Sequence, residues 1–138
     1  MMTLNSTTYG RAGENAAKRY LKQKGYRILS QNYIAGGGEL DIVALHKSVL
    51  VFAEVKTRSS IGYGTPAEAV GEKKIACLRS AAAAFMHEQC KKGRVPVFFP
   101  LGIKIQKRYK TTRNDIIEVF LERNSKEPYK INHMENAF

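Results

Sequence analysis

The chain has 138 residues, 43% of them hydrophobic, and 23 Lys and Arg against 12 Asp and Glu, a net charge of +11. That length holds one domain with a single core, and so strong a positive balance points to a polyanionic partner, nucleic acid above all. No apolar run approaches the roughly 20 residues that span a bilayer and the start lacks the basic-then-apolar pattern of a secretory signal, so the expectation is a soluble cytoplasmic protein without a membrane partner.

Residues 1–9 read as a loose polar tail. Residues 10–24 read as a helix, with Ala12, Ala16, Ala17, Tyr20 and Leu21 forming an apolar stripe at helical spacing. Glu14 flanks that stripe, and Gly25 is placed to cap the helix C-terminus. A first strand is expected over 26–34. Gly36-Gly37-Gly38 then forms a turn. It is no phosphate-binding fingerprint, because a strand follows it rather than a helix.

The next two runs are the most informative: Glu39-Leu-Asp-Ile-Val-Ala-Leu-His46 and Val49-Leu-Val-Phe-Ala-Glu-Val-Lys56. Side chains on a strand alternate faces. Asp41 therefore shares a face with Val43 and Leu45, and Glu54 with Leu50, Phe52 and Lys56. A hairpin turning at Lys47-Ser48 sets Asp41 opposite Glu54 and Glu39 opposite Lys56. Facing Cβ atoms lie roughly 4.5–5.5 Å apart, where like charges destabilise the pair. A divalent cation between the carboxylates removes the conflict, since hard cations take carboxylate oxygens. An ammonium group beside them, from Lys56, can hold a phosphate. The bland alternative is a charged surface on a half-exposed sheet; against it, these charges end an otherwise apolar face.

Beyond a loop over 57–64, Thr65-Pro66-Ala67-Glu68 reads as a helix start, with Thr65 as N-cap and Glu68 closing a capping box. The helix runs to about Gln89, with Gly71 as an interruption and Ile75, Leu78, Ala82, Phe85 and Met86 as its core face. Cys77 and Cys90 lie roughly 20 Å apart along one straight helix and cannot pair. His46, His87 and His133 show no zinc spacing. Residues 94–109 read as an added hairpin turning at Pro100-Leu101-Gly102, followed by basic residues. A final strand is expected over 115–121, and 123–138 as a peripheral tail. The order helix, strand, strand, strand, helix, strand predicts an α/β domain: a mixed sheet flanked by helices, with the last core strand parallel to its neighbour.

An acid, a spacer and Glu-x-Lys on adjacent strands, in this element order, resemble the PD-(D/E)XK nuclease core. More specifically, the chain resembles the YraN-like bacterial family of endonuclease-like proteins, related to archaeal Holliday-junction resolvases. The likeness is carried by Gly10-Arg-Ala-Gly-Glu14, Gly25-Tyr-Arg-Ile-Leu29, Gly38-Glu-Leu-Asp-Ile-Val-Ala44, Val51-Phe-Ala-Glu-Val-Lys-Thr-Arg58, Gly64-Thr-Pro-Ala-Glu-Ala-Val70 and Arg113-Asn-Asp-Ile-Ile117. Leu40 stands where the wider superfamily has proline, and the segment before residue 113 is longer than the family's pattern.

The resemblance implies a restriction-endonuclease-like α-β-β-β-α-β core with an extra hairpin before its last strand, in one domain over 1–138. It implies a metal-dependent DNA endonuclease that hydrolyses phosphodiester bonds, with branched, Holliday-junction-like DNA as substrate. Asp41, Glu54 and the Val55 carbonyl would hold Mg²⁺ or Mn²⁺, and Glu14 would complete the acidic set through a water. Lys56 would orient the attacking water, and Glu39 would serve Lys56 or the metal. Arg58, Lys73, Lys74, Lys107, Arg108 and Lys110 would contact phosphates, and a homodimer would suit a two-fold symmetric branch. Two rivals keep the same fold: a non-catalytic nucleic-acid-binding module, and an interaction subunit that docks through the hairpin.

Overall fold

The computed structural model describes residues 5–59 and 71–138. Helix α1 spans Ser6–Gln23 and is capped by the Asn5 side chain, which accepts from the Thr8 amide at 2.8 Å. The helix thus begins four residues earlier than its apolar stripe suggests. Tyr9, expected in a loose tail, is buried, and its hydroxyl donates to the Leu121 carbonyl. A capping Asn and a long-range anchor order this segment where local polarity reads as loose. Gly25, at φ +90°, ends the helix as its spacing requires.

Strands β1 (Arg27–Ala35), β2 (Gly38–His46) and β3 (Val49–Arg58) form an antiparallel meander. The β2–β3 pairs run from His46↔Val49 to Ile42↔Ala53, which is the register that a turn at Lys47-Ser48 dictates. Lys47 adopts φ +57° to make this turn without a glycine. Helix α2 spans Glu72–Gln89; the expected start at Thr65 lies outside the described residues. Strands β4 (Arg94–Phe99) and β5 (Ile103–Arg108) form the expected separate hairpin, closed by a single 3₁₀ turn.

Strand β6 (Thr111–Phe120) returns parallel to β3, with Glu54 beside Ile116 and Lys56 beside Glu118. A last strand, β7 (Lys130–Met134), pairs antiparallel with β6. The tail over 123–138 is therefore more than peripheral. Its apolar content is too low to read as a strand, yet Ile131 packs on the core and His133 bonds the buried Asp115.

The main sheet has the order β1-β2-β3-β6-β7. Two cores lie on its two faces. On one, α1 places Ala12, Ala16, Ala17 and Leu21 over Ile42, Ala44, Val51, Val55 and Ile117. On the other, Ala81, Ala82 and Phe85 of α2, with Val95 and Val97 of β4, cover Val43, Leu45, Leu50 and Phe52. Among the described residues no helix is long and apolar enough to cross a membrane.

Candidate active site

Strands β2 and β3 carry Asp41 and Glu54 to one end of the sheet, just beyond the Ile42↔Ala53 pair. There the ladder gives way to a side chain: an Asp41 carboxylate oxygen accepts from the Val55 amide at 2.9 Å. This bond fixes Asp41 against the strand that bears Glu54. Glu54 is only 5% exposed. One of its oxygens lies 3.8 Å from Lys56 Nζ and 3.7 Å from Lys74 Nζ, the latter reaching over from α2. Its other oxygen, Oε2, is buried without a hydrogen-bond partner. Burial first, then the negative charge of Asp41, push the Glu54 carboxyl up to about 7, against the pull of Lys74 and Lys56.

Glu14 approaches from the other face. Gly13 makes this approach possible, because a Cβ there would fall 1.9 Å from the Thr57 hydroxyl of β3. With no side chain in the way, α1 settles against β3 and brings Glu14 within electrostatic reach of Asp41. Burial raises the Glu14 carboxyl, Asp41 raises it further, and a hydrogen bond with the Asn32 side chain opposes the shift. Asn32 itself sits at φ +51° in β1.

Two expectations change in detail. Lys56 pairs with Glu54, whereas Glu39 is exposed beyond the end of the paired β2–β3 ladder. Once Asp41 has taken the Val55 amide, the ladder that would bring Glu39 to Lys56 is interrupted. Arg58 lies 2.6 Å from Glu118, a buried acid on β6. Part of its charge is thus spent inside the protein. Sequence reasoning misses Glu118, although a lone acid within Ile116-Ile117-Glu118-Val119-Phe120 is the signal. Lys74 stands in the acidic cluster, with Lys73 exposed beside it on α2; Lys107, Arg108 and Lys110 are exposed in and after the hairpin. Among the described residues no three His, Cys, Asp or Glu side chains are grouped closely enough to hold a metal ion by themselves. The carboxylates in contact are a pair, with Glu14 behind them. The cysteines are unpaired, as expected, and His46 stacks on Tyr26 at 4.0 Å between ring centroids.

A five-stranded mixed sheet with helices on both faces, and a Glu-x-Lys strand at its centre, is compatible with the restriction-endonuclease-like fold class. Comparison with known proteins narrows this class. Residues 13–119 match the uncharacterised protein family UPF0102, and the chain belongs to that family, the YraN-like one. It is 43% identical to a UPF0102 protein of Alkaliphilus oremlandii over 94% of this chain and 96% of the relative. It is 38% identical to one of Caldanaerobacter subterraneus over the whole of both chains. A UPF0102 protein of Carboxydothermus hydrogenoformans is 48% identical over 62% of this chain and 72% of its own length.

Proposed function

We propose that this protein is a divalent-metal-dependent endonuclease that hydrolyses phosphodiester bonds in DNA, with branched DNA as its substrate class. The observation that carries the reading is the Asp41–Glu54 pair beside two lysines, with Glu54 Oε2 buried and unpartnered. A buried, unpaired acceptor is costly, and two adjacent carboxyls hold each other's charge off. Both conflicts disappear when a cation is present, so the residues fit Mg²⁺ or Mn²⁺. Asp41 and Glu54 would hold it, with the Val55 carbonyl as a further oxygen.

When bound, the metal supplies Lewis-acid polarisation of the phosphate and a lowered pKa for the attacking water. The chain's own residues do the rest. The Val55 amide fixes the Asp41 oxygen that faces it. Lys56 and Lys74, both beside Glu54, would face the negative charge that grows on a phosphate seated there during in-line attack, and each would stabilise the transition state more than the ground state. Glu14, its carboxyl raised, is suited to accept or return a proton through a water near Asp41.

The test incubates the full chain with linear, single-stranded, flapped and four-way-junction DNA, in Mg²⁺, Mn²⁺ or EDTA. The expected result is metal-dependent cleavage, fastest on a branched substrate, which Asp41→Ala abolishes and Lys56→Ala lowers by about 100-fold or more with binding retained. Binding without cleavage on every substrate, identical in wild type and variants, overturns the enzyme reading. It would favour the non-catalytic module that the net charge of +11 also suits.

A further inference from the structure

The β4–β5 hairpin has a construction that the catalytic reading does not use. Its inward residues Val95 and Val97 are buried in the core. Its base is tied to the sheet, with the Tyr109 amide donating to Gly93 and the Lys110 amide to Ser48. The hairpin is therefore a fixed projection. Its second strand overhangs the core: every residue from Ile103 to Arg108 is exposed.

At the tip stands Leu101, 98% exposed, with Phe98 at 66% and Ile103 at 52% beside it. Leu101 also adopts φ +67° and ψ +22°, the left-handed region that a leucine rarely occupies. An apolar side chain held out in water on strained backbone is unfavourable twice over, and strain of this kind clusters at binding sites.

The surroundings of the tip define what it meets. Residues 91–110 contain seven Lys and Arg and no Asp or Glu. Five polar residues, Lys91, Lys92, Arg94, Gln106 and Arg108, line one pocket of about 450 Å³ at the hairpin's base. Pairing two copies along the free edge of β5 would bring these cations together, and their repulsion disfavours a symmetric dimer through this edge. A polyanion with apolar faces inside it, which is a nucleic acid, satisfies both features: phosphates for the cations, an opened base step for the leucine.

We propose that the hairpin is a nucleic-acid wedge: Leu101, supported by Phe98 and Ile103, inserts at an unstacked base step or branch point, while the basic residues of the hairpin grip the flanking phosphates. This rests on the reading of the protein as one that acts on branched DNA, and it assigns the hairpin the recognition of the branch. The guanidinium of Arg27, 4.5 Å from the Phe99 ring at the root of the tip, begins the strand whose Asn32 reaches the acidic site. The tip thus adjoins one end of β1, and the acidic site its middle.

The test measures binding, in EDTA and with the full chain, to four-way junctions carrying 2-aminopurine at the branch and to matched duplexes carrying it at the same sequence position. Wild type is expected to raise the fluorescence on the junction by unstacking the reporter. Leu101→Asn, which suits the left-handed backbone and touches no core residue, is expected to remove that rise while changing affinity less than about threefold. Lys104→Ala/Lys107→Ala/Arg108→Ala is expected to weaken binding and flatten the plot of log K against log salt by up to about 2.7, roughly 0.9 per lost phosphate contact. A rise that survives Leu101→Asn overturns the wedge, as does absence of DNA binding. An unchanged affinity in the triple variant overturns it too, and points to an acidic protein surface. Lys56→Ala separates the two readings. A Leu101-dependent rise without any cleavage keeps the wedge and discards the nuclease; Lys56-dependent cleavage with a Leu101-independent signal does the reverse.

Discussion

At the scale of the residue, Glu54 is held in a conflict that only its surroundings explain. Its carboxyl, raised to about 7, binds a proton more tightly in the folded chain than in the unfolded one. The folded state is therefore favoured below the ordinary carboxyl range and loses that advantage as pH climbs through about 7. A shift from 4.5 to about 7 corresponds to about 3 kcal/mol at pH 8, as an upper figure. Glu54→Gln is accordingly expected to raise the melting temperature at pH 8 in EDTA by several degrees, and to change it little at pH 4. Thermal unfolding at the two pH values checks this, and an equal shift at both would show that the gain has nothing to do with charge. The sequence alone reveals the acid pair and Lys56, because strand alternation and one short turn fix their register. It does not reveal Lys74 as the second cation, or Glu118 as the partner of Arg58. Those contacts depend on how α2 and β6 lie against β3, which no local pattern encodes.

Among the elements, close approach decides where the helices sit. Gly38 opens β2 where the sheet passes under α2. A Cβ there would lie 2.5 Å from the Cys77 carbonyl, a backbone atom that cannot swing aside. Gly38→Ala is expected to cost about 1–3 kcal/mol, read as a lower denaturant midpoint with an unchanged m-value. Gly36, at φ +58°, allows the same contact from the neighbouring turn, since a Cβ there would fall 2.7 Å from the Ser80 carbonyl. The glycine run is legible in sequence as a turn, but its role against α2 is not, since the partner lies some 40 residues further on. The strands β1, β2 and β3 and the hairpin are legible because alternation and turn residues are local signals. Strand β7 is not, because it is a short edge strand with mixed polarity.

Across the whole molecule, a polar cluster joins the last strand to the first helix. Asp115 is fully buried and accepts two bonds from Arg113, at 2.8 and 2.9 Å, and one from the Asn136 amide at 3.0 Å. His133 Nε2 lies 2.7 Å away and donates to it, leaving Nδ1 to accept from the Tyr20 hydroxyl at 3.1 Å. Burial pushes the Asp115 carboxyl up, and the bonds from His133, Arg113 and Asn136 outweigh it, so its pKa falls below the ordinary aspartate value. This group therefore stabilises the fold above about pH 4 and loses its contribution as pH drops through the lowered value, the opposite sign to Glu54. Asp115→Asn is expected to lower stability by about 3 kcal/mol at pH 7, with the gap to wild type narrowing in urea titrations near pH 3. A gap independent of pH would mean that shape, not charge, does the work.

The Tyr9 anchor at Leu121 and the Tyr20 contact with His133 set an order for synthesis. Residue 9 leaves the ribosome long before residue 121, and α1 has no finished seat until β6 and β7 have emerged. Strand β3, which bears the Glu-x-Lys triplet, waits meanwhile without its parallel neighbour. An interrupted translation product that stops short of β6 would carry Asp41, Glu54 and Lys56 yet lack the strand that holds them in place. The framework of the site is therefore complete only once β6 has taken its place beside β3.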